Sequence, residues 1–124
     1  MQNKASKIRR SVKNLIFNCV FIIFNLLFIV FFYKNIILTT ILLVLLTVLF
    51  LFYYKSKILI PIFCFASLGA ILEMFAVYSG AWSYSFPDIF NVPVWLFVIW
   101  GNVGLLIYRV GLEFQNIASL IFSR

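Results

Sequence analysis

Apolar runs alternate with short polar breaks along most of the chain. The first run extends from Asn14 to Tyr33 and the second from Ile36 to Tyr54, with only Lys34 and Asn35 between them. A third runs from Ile58 to Gly80 and a fourth from Val94 to Gly111. Each is close to the ~20 residues an α-helix needs to cross a hydrocarbon core ~30 Å thick. One continuous helix from Asn14 to Tyr54 would be about twice too long, so Lys34-Asn35 predicts a tight antiparallel turn. Pro61 falls in the first turn of the third helix, where its missing N–H is tolerated, and Pro93 starts the fourth. The pattern predicts an all-α membrane protein: a single domain over residues 1–124, with four transmembrane helices as two antiparallel hairpins.

The polar breaks set an expected orientation. Lys4, Lys7, Arg9, Arg10 and Lys13 precede the first span, Lys34 lies in the first turn, and Lys55 and Lys57 in the second. Residues 81–93 carry no basic residue, only Asp88, while Arg109 and Arg124 lie toward the C-terminal side. By the positive-inside rule both termini are expected in the cytoplasm, with the aromatic loop 81–93 outside. The basic flank 1–13 doubles as a candidate clamp on anionic lipid, and no cleavage site ends the first run, so it reads as an uncleaved span. Residues 112–124 place Phe114, Ile117, Ala118 and Ile121 at helical spacing, which suits an amphipathic tail on the inner leaflet or a frayed end of the fourth helix.

Composition agrees with this picture. The hydrophobic fraction is 65% and charged residues are 10%, against about half or less and roughly 25% in soluble proteins. The net charge of +7 lies at helix ends, which points to the membrane rather than to nucleic acid. The chain has no His, and Cys19 and Cys64 fall in no metal-ligand spacing, so they read as small buried hydrophobes and neither metal nor cofactor is expected. Heavy use of Phe, Ile, Asn and Lys suggests an AT-rich genome.

Candidate chemistry concentrates in the third and fourth helices. Glu73 lies inside a span, where an ionisable side chain is costly and marks a functional site by default. Counting ~1.5 Å per residue, Glu73 lies ~10 Å below Gly80, while Asn102 and Asn25 lie ~12 Å below Val94 and Tyr33. Three helices thus bring polar side chains to one layer, with Glu73 expected to face the bundle interior, protonated or hydrogen-bonded, beneath Trp82 and Tyr84. Asn18 and Asn25, seven apart on one face, also suit interhelical packing. Trp82, Tyr84, Trp95 and Trp100, with Tyr78, form either an interfacial belt or a binding mouth above Glu73, the alternation Trp82-Ser83-Tyr84-Ser85-Phe86 then pointing aromatics one way and hydroxyls the other. Ala66, Gly69, Ala70, Ala76 and Gly80, answered by Gly101 and Gly104, predict close packing of helices three and four or a groove for a lipid tail. Arg109 is too deep to meet Glu73 and is expected to pair at the surface with Glu113, four residues on.

The pattern Glu73…Gly80-Ala81-Trp82-Ser83-Tyr84…Pro87…Val92-Pro93-Val94-Trp95-Leu96…Trp100-Gly101 resembles small bacterial multi-pass membrane proteins with a G-A-W-x-Y turn and a P-x-W-L…W-G helix. That likeness covers Glu73 to about Arg109 and implies a bacterial inner membrane without implying an activity. The stretch is also faintly similar to polytopic carotenoid-biosynthesis proteins, which pair a membrane Glu with a Gly-x-Tyr-x-Tyr-like turn and a Val-Pro step. This chain has Trp82 where a Tyr is expected and no further intramembrane carboxylate, so no catalytic residue carries over. No nucleophile–base pair or phosphate loop is present. The expectation is a non-enzymatic membrane protein that binds a lipid-like ligand or a partner helix, in a homo- or hetero-oligomer, through the face of helices three and four. The alternative is a small enzyme or enzyme subunit acting on an isoprenoid, with Glu73 as acid. A transporter would need a polar path that the stretch from Ser67 to Arg109 scarcely offers.

Overall fold

Asn3 starts the first helix, its side chain accepting from the Ser6 N–H at 2.8 Å, in a computed structural model that describes residues 3–123. α1 runs from Lys4 to Phe32, 29 residues or ~43 Å, so the basic flank is helical and continuous with the first span. Asn35 caps α2 (Ile36–Tyr54) by accepting from Leu38 N–H at 3.1 Å, and Lys55 ends it in the left-handed region at φ 52°. The third span, Leu59–Tyr78, is divided into α3 (Leu59–Ser67) and α4 (Gly69–Tyr78) by a tightened turn at Leu68, whose N–H reaches the Phe65 carbonyl at 3.2 Å. Ser67 and Gly69 flank that turn; Ser67 Oγ donates to the Cys64 carbonyl at 2.7 Å, the kind of local competition that bends helices. α5 runs unbroken from Trp95 to Phe122, 28 residues. Residues 112–122 therefore prolong the fourth span rather than form a separate surface helix.

All four spans are long and apolar enough to cross a membrane, and no strand occurs among the described residues. The loop between α4 and α5 holds one isolated bridge, Ile89 to Val92, closed by reciprocal N–H···O bonds of 2.9 Å around Phe90 and Asn91, both at positive φ.

α5 is the hub, packing against α1, α2, α3 and α4, while the third span leans chiefly on α5. The first hairpin is locked at its open end by Tyr53 and Tyr54, whose hydroxyls donate to Asn14 Oδ1 and Asn18 Oδ1 at 2.9 Å each. α1 buries Ser11, Asn18, Phe21 and Asn25 and turns Ile16, Val30 and Phe31 outward. Polar groups inside and large apolar groups outside is the arrangement expected where lipid, not water, is the solvent, because backbone and side-chain polar groups must find partners within the protein. The chain is a multi-pass membrane protein. Cys19 and Cys64 correct an expectation: both are exposed on this outward surface, where a small apolar side chain needs no burial.

Candidate functional site

Glu73 projects from α4 toward α5, half-buried, and each of its carboxyl oxygens has a donor. Trp100 Nε1 donates to Oε1 at 3.0 Å, and the Tyr84 hydroxyl donates to Oε2. The carboxyl is thus hydrogen-bonded rather than free. Tyr84 reaches it because α4 ends in a reversing cap. Gly80 takes φ +85°, which a side chain would oppose, while Ala81 N–H bonds the Ala76 carbonyl and Gly80 N–H that of Val77, both at 3.0 Å. The loop is thereby folded back over the helix that made it. Tyr84 also meets Trp95 edge-on, ring centroids 6.2 Å apart. Burial, and then the bond to the Glu73 carboxyl, push the Tyr84 phenol well above its ordinary value.

Trp100 joins this clamp to the helix interface. Its six-membered ring lies against Gly69, where a Cβ would overlap it, and Phe63 lies likewise against Gly101. Gly104 admits Ala66 so closely that a Cβ on the glycine would collide with the alanine methyl. The small residues thus serve close packing, with two aromatic rings seated on glycine. Outside this seam an open apolar cleft of about 470 Å³ remains, walled by Phe65 and Leu72 on one side and by Trp100, Val103 and Ile107 on the other.

Asn102 and Asn25 do meet, and both are fully buried. Asn102 Nδ2 donates to Asn25 Oδ1 at 2.8 Å, Thr47 Oγ1 donates to Asn102 Oδ1 at 2.5 Å, and Asn25 Nδ2 donates to the Phe21 carbonyl at 2.8 Å. Glu73 does not belong to this cluster. Trp100 and Asn102 are two residues apart, so they leave α5 at ~200° to each other, one toward α4 and the other toward α1 and α2. Depth along the span was readable from residue counts, but angle around the axis was not. Thr47, an ordinary residue on an apolar helix, gave no sign of its part.

The remaining aromatics separate. Trp82 is 50% exposed at the loop surface, whereas Trp95 is 7% exposed within the core beside Leu43, Ala70 and Leu96, its indole N–H without a partner among the described residues. The run from Trp82 to Phe86 forms no strand, so it has no two-faced alternation; Tyr84 alone tucks inward.

A second polar cluster at the basic end was only half anticipated. Arg109 Nη2 bonds Glu113 Oε1 at 2.6 Å, as the i, i+4 spacing predicts, yet Glu113 is 2% exposed rather than at the surface. It is covered because α5 continues alongside α1, where Asn14 Nδ2 donates to the same carboxyl oxygen at 2.9 Å. The Arg109 guanidinium lies 3.9 Å from the centre of the Tyr54 ring, a cation–π contact. Comparison of the chain with protein-family models, with curated proteins and with solved structures gave no match.

Proposed function

We propose that the protein is a non-enzymatic binder of a lipid-like ligand, taken up in the cleft between the third span and α5. One observation carries this reading: the 470 Å³ apolar cleft has as a wall the same Trp100 ring that Glu73 holds by its indole N–H. A carboxylate placed in a span at substantial cost is here spent on fixing a cleft wall. Both its oxygens are engaged within the chain, which favours a positioning role over that of a proton donor to a substrate. The third span also exposes Phe65, Leu72 and Phe75 strongly, so an acyl or isoprenoid chain lying along it would meet apolar surface only.

The bundle is oriented with both helix-terminal basic ends in the cytoplasm and loop 81–93 outside, in a bacterial inner membrane. Lys55, Lys57, Arg109 and the α1 flank gather at one end of the helices, against Lys34 and Asp88 at the other. Native mass spectrometry of the purified chain tests the binding reading. Wild type is expected to retain one more lipid-like molecule through detergent exchange than Leu72→Trp, which fills the cleft from its exposed rim while folding normally. Equal retention by both, or none by wild type, refutes the cleft as the site.

A further inference from the structure

At the basic end, α1 and α5 both outrun the hydrocarbon thickness and lie side by side. Their lengths of 29 and 28 residues give ~43 Å and ~42 Å, against a core of ~30 Å. Between them and the end of α2 opens a polar cleft of about 430 Å³ lined by Arg10, Lys13, Asn14, Arg109, Glu113 and Asn116, with Tyr53 and Tyr54 closing one side. A second opening of about 260 Å³ shares Arg10 and Asn116 with it and adds Lys7. Four cations therefore border the two openings, and among their lining residues Glu113 is the single acid. That acid is already spoken for, by Arg109 at 2.6 Å and Asn14 at 2.9 Å. Among the described residues Lys7, Arg10 and Lys13 make no ion pair.

We infer that this cleft is a binding site for a phosphate group, presented as the headgroup of an anionic phospholipid. Arg109 is already set for it: Glu113 holds one nitrogen, the Tyr54 ring fixes the guanidinium plane, and its buried Nε has no acceptor among the described residues. Arginine held in a plane suits a phosphate's oxygens, and Arg10 and Lys13 add charge from the facing helix. The level is right as well. Tyr53 and Tyr54 end α2 where aromatic residues meet the headgroups, and the lining of α1 begins at Asn14, where its apolar run gives way to basic residues. The site lies at the opposite end of the molecule from the Glu73 clamp and does not depend on the ligand proposed there, nor on which side of the membrane the basic end faces.

The test uses the full chain in neutral detergent, titrated with phosphatidylglycerol or phosphatidylcholine and read by native mass spectrometry. Arg10→Gln/Lys13→Gln removes two exposed cations of the cleft, and Lys4→Gln/Arg9→Gln removes two exposed cations outside it. The expected result is selective binding of phosphatidylglycerol, weakened about tenfold or more by the first pair and less than about twofold by the second. Unchanged thermal unfolding of both pairs shows that the fold is intact. Competition by inorganic phosphate at constant ionic strength assigns the site to phosphate from any source, and its failure to compete assigns it to the lipid headgroup; both sustain a phosphate site. Equal losses in the two pairs overturn it in favour of diffuse attraction to a basic flank, and equal affinity for the two lipids overturns it in favour of binding that does not read headgroup charge.

Discussion

Replacing Glu73 by Gln and by Leu separates an acceptor from a charge. In wild type the carboxyl takes one bond from Trp100 and one from Tyr84. Gln keeps a carbonyl oxygen for the indole, and its amide donates to the Tyr84 oxygen once that hydroxyl turns, so both contacts survive in altered form. Leu keeps the bulk and loses both, leaving an indole N–H and a phenol without partners. Interhelical hydrogen bonds in membranes are worth about 0.6 kcal/mol on average and up to about 1.7. Two of them give an expected loss of about 1–3 kcal/mol for Glu73→Leu, and about 1 kcal/mol or less for Glu73→Gln. The assay is reversible unfolding in mixed micelles followed by tryptophan fluorescence. All three tryptophans, Trp82, Trp95 and Trp100, lie in or next to the clamp region, so the signal reports on it directly. A Leu variant as stable as wild type refutes the clamp. A Gln variant as damaged as Leu refutes the reading that hydrogen-bond geometry, rather than charge, is what Glu73 contributes. Lipid retention should follow stability of the Trp100 wall: kept in Gln, lost in Leu.

Asn102→Leu should cost about 1–3 kcal/mol, because it orphans the buried Asn25 oxygen, and Asn25→Leu/Asn102→Leu should cost less than the sum of the single changes in a double-mutant cycle; simple additivity contradicts the bond. Gly69→Ala drives a methyl into the Trp100 ring, so loss of bound lipid is expected with it, and a variant that retains both stability and lipid shows that the ring does not wall the site. Since the folded phenol of Tyr84 titrates above its ordinary value of 10.0, its contribution is fully present below that pH and lost as pH rises beyond it. Wild type should therefore lose stability relative to Tyr84→Phe only in that alkaline range, and parallel pH curves would contradict the contact. With Cys19 and Cys64 replaced, a cysteine at Ser85 should react with an impermeant reagent added outside and one at Ser56 should not; equal labelling refutes the orientation.

The number of spans, their approximate limits and the antiparallel turn at Lys34-Asn35 follow from chain order alone, because the bilayer fixes how long an apolar helix must be. The i, i+4 pair of Arg109 with Glu113 and the common level of Asn25 and Asn102 were legible for a similar reason: rise per residue is a constant of the helix. Rotation about each axis is set by packing against neighbours and has no such constant. That is why Asn102 turned to Asn25 and Thr47 while Trp100, two residues earlier, turned to Glu73. It is also why Cys19 and Cys64 face outward, since in an apolar solvent a hydrophobic residue carries no instruction about which side of the helix is buried. The choice of Tyr84 over Trp82 as the second donor to Glu73 rests on the reversing cap at Gly80. The burial of Glu113 rests on α5 running on beside α1. Both are contacts between segments remote in the chain, decided only when the helices had packed.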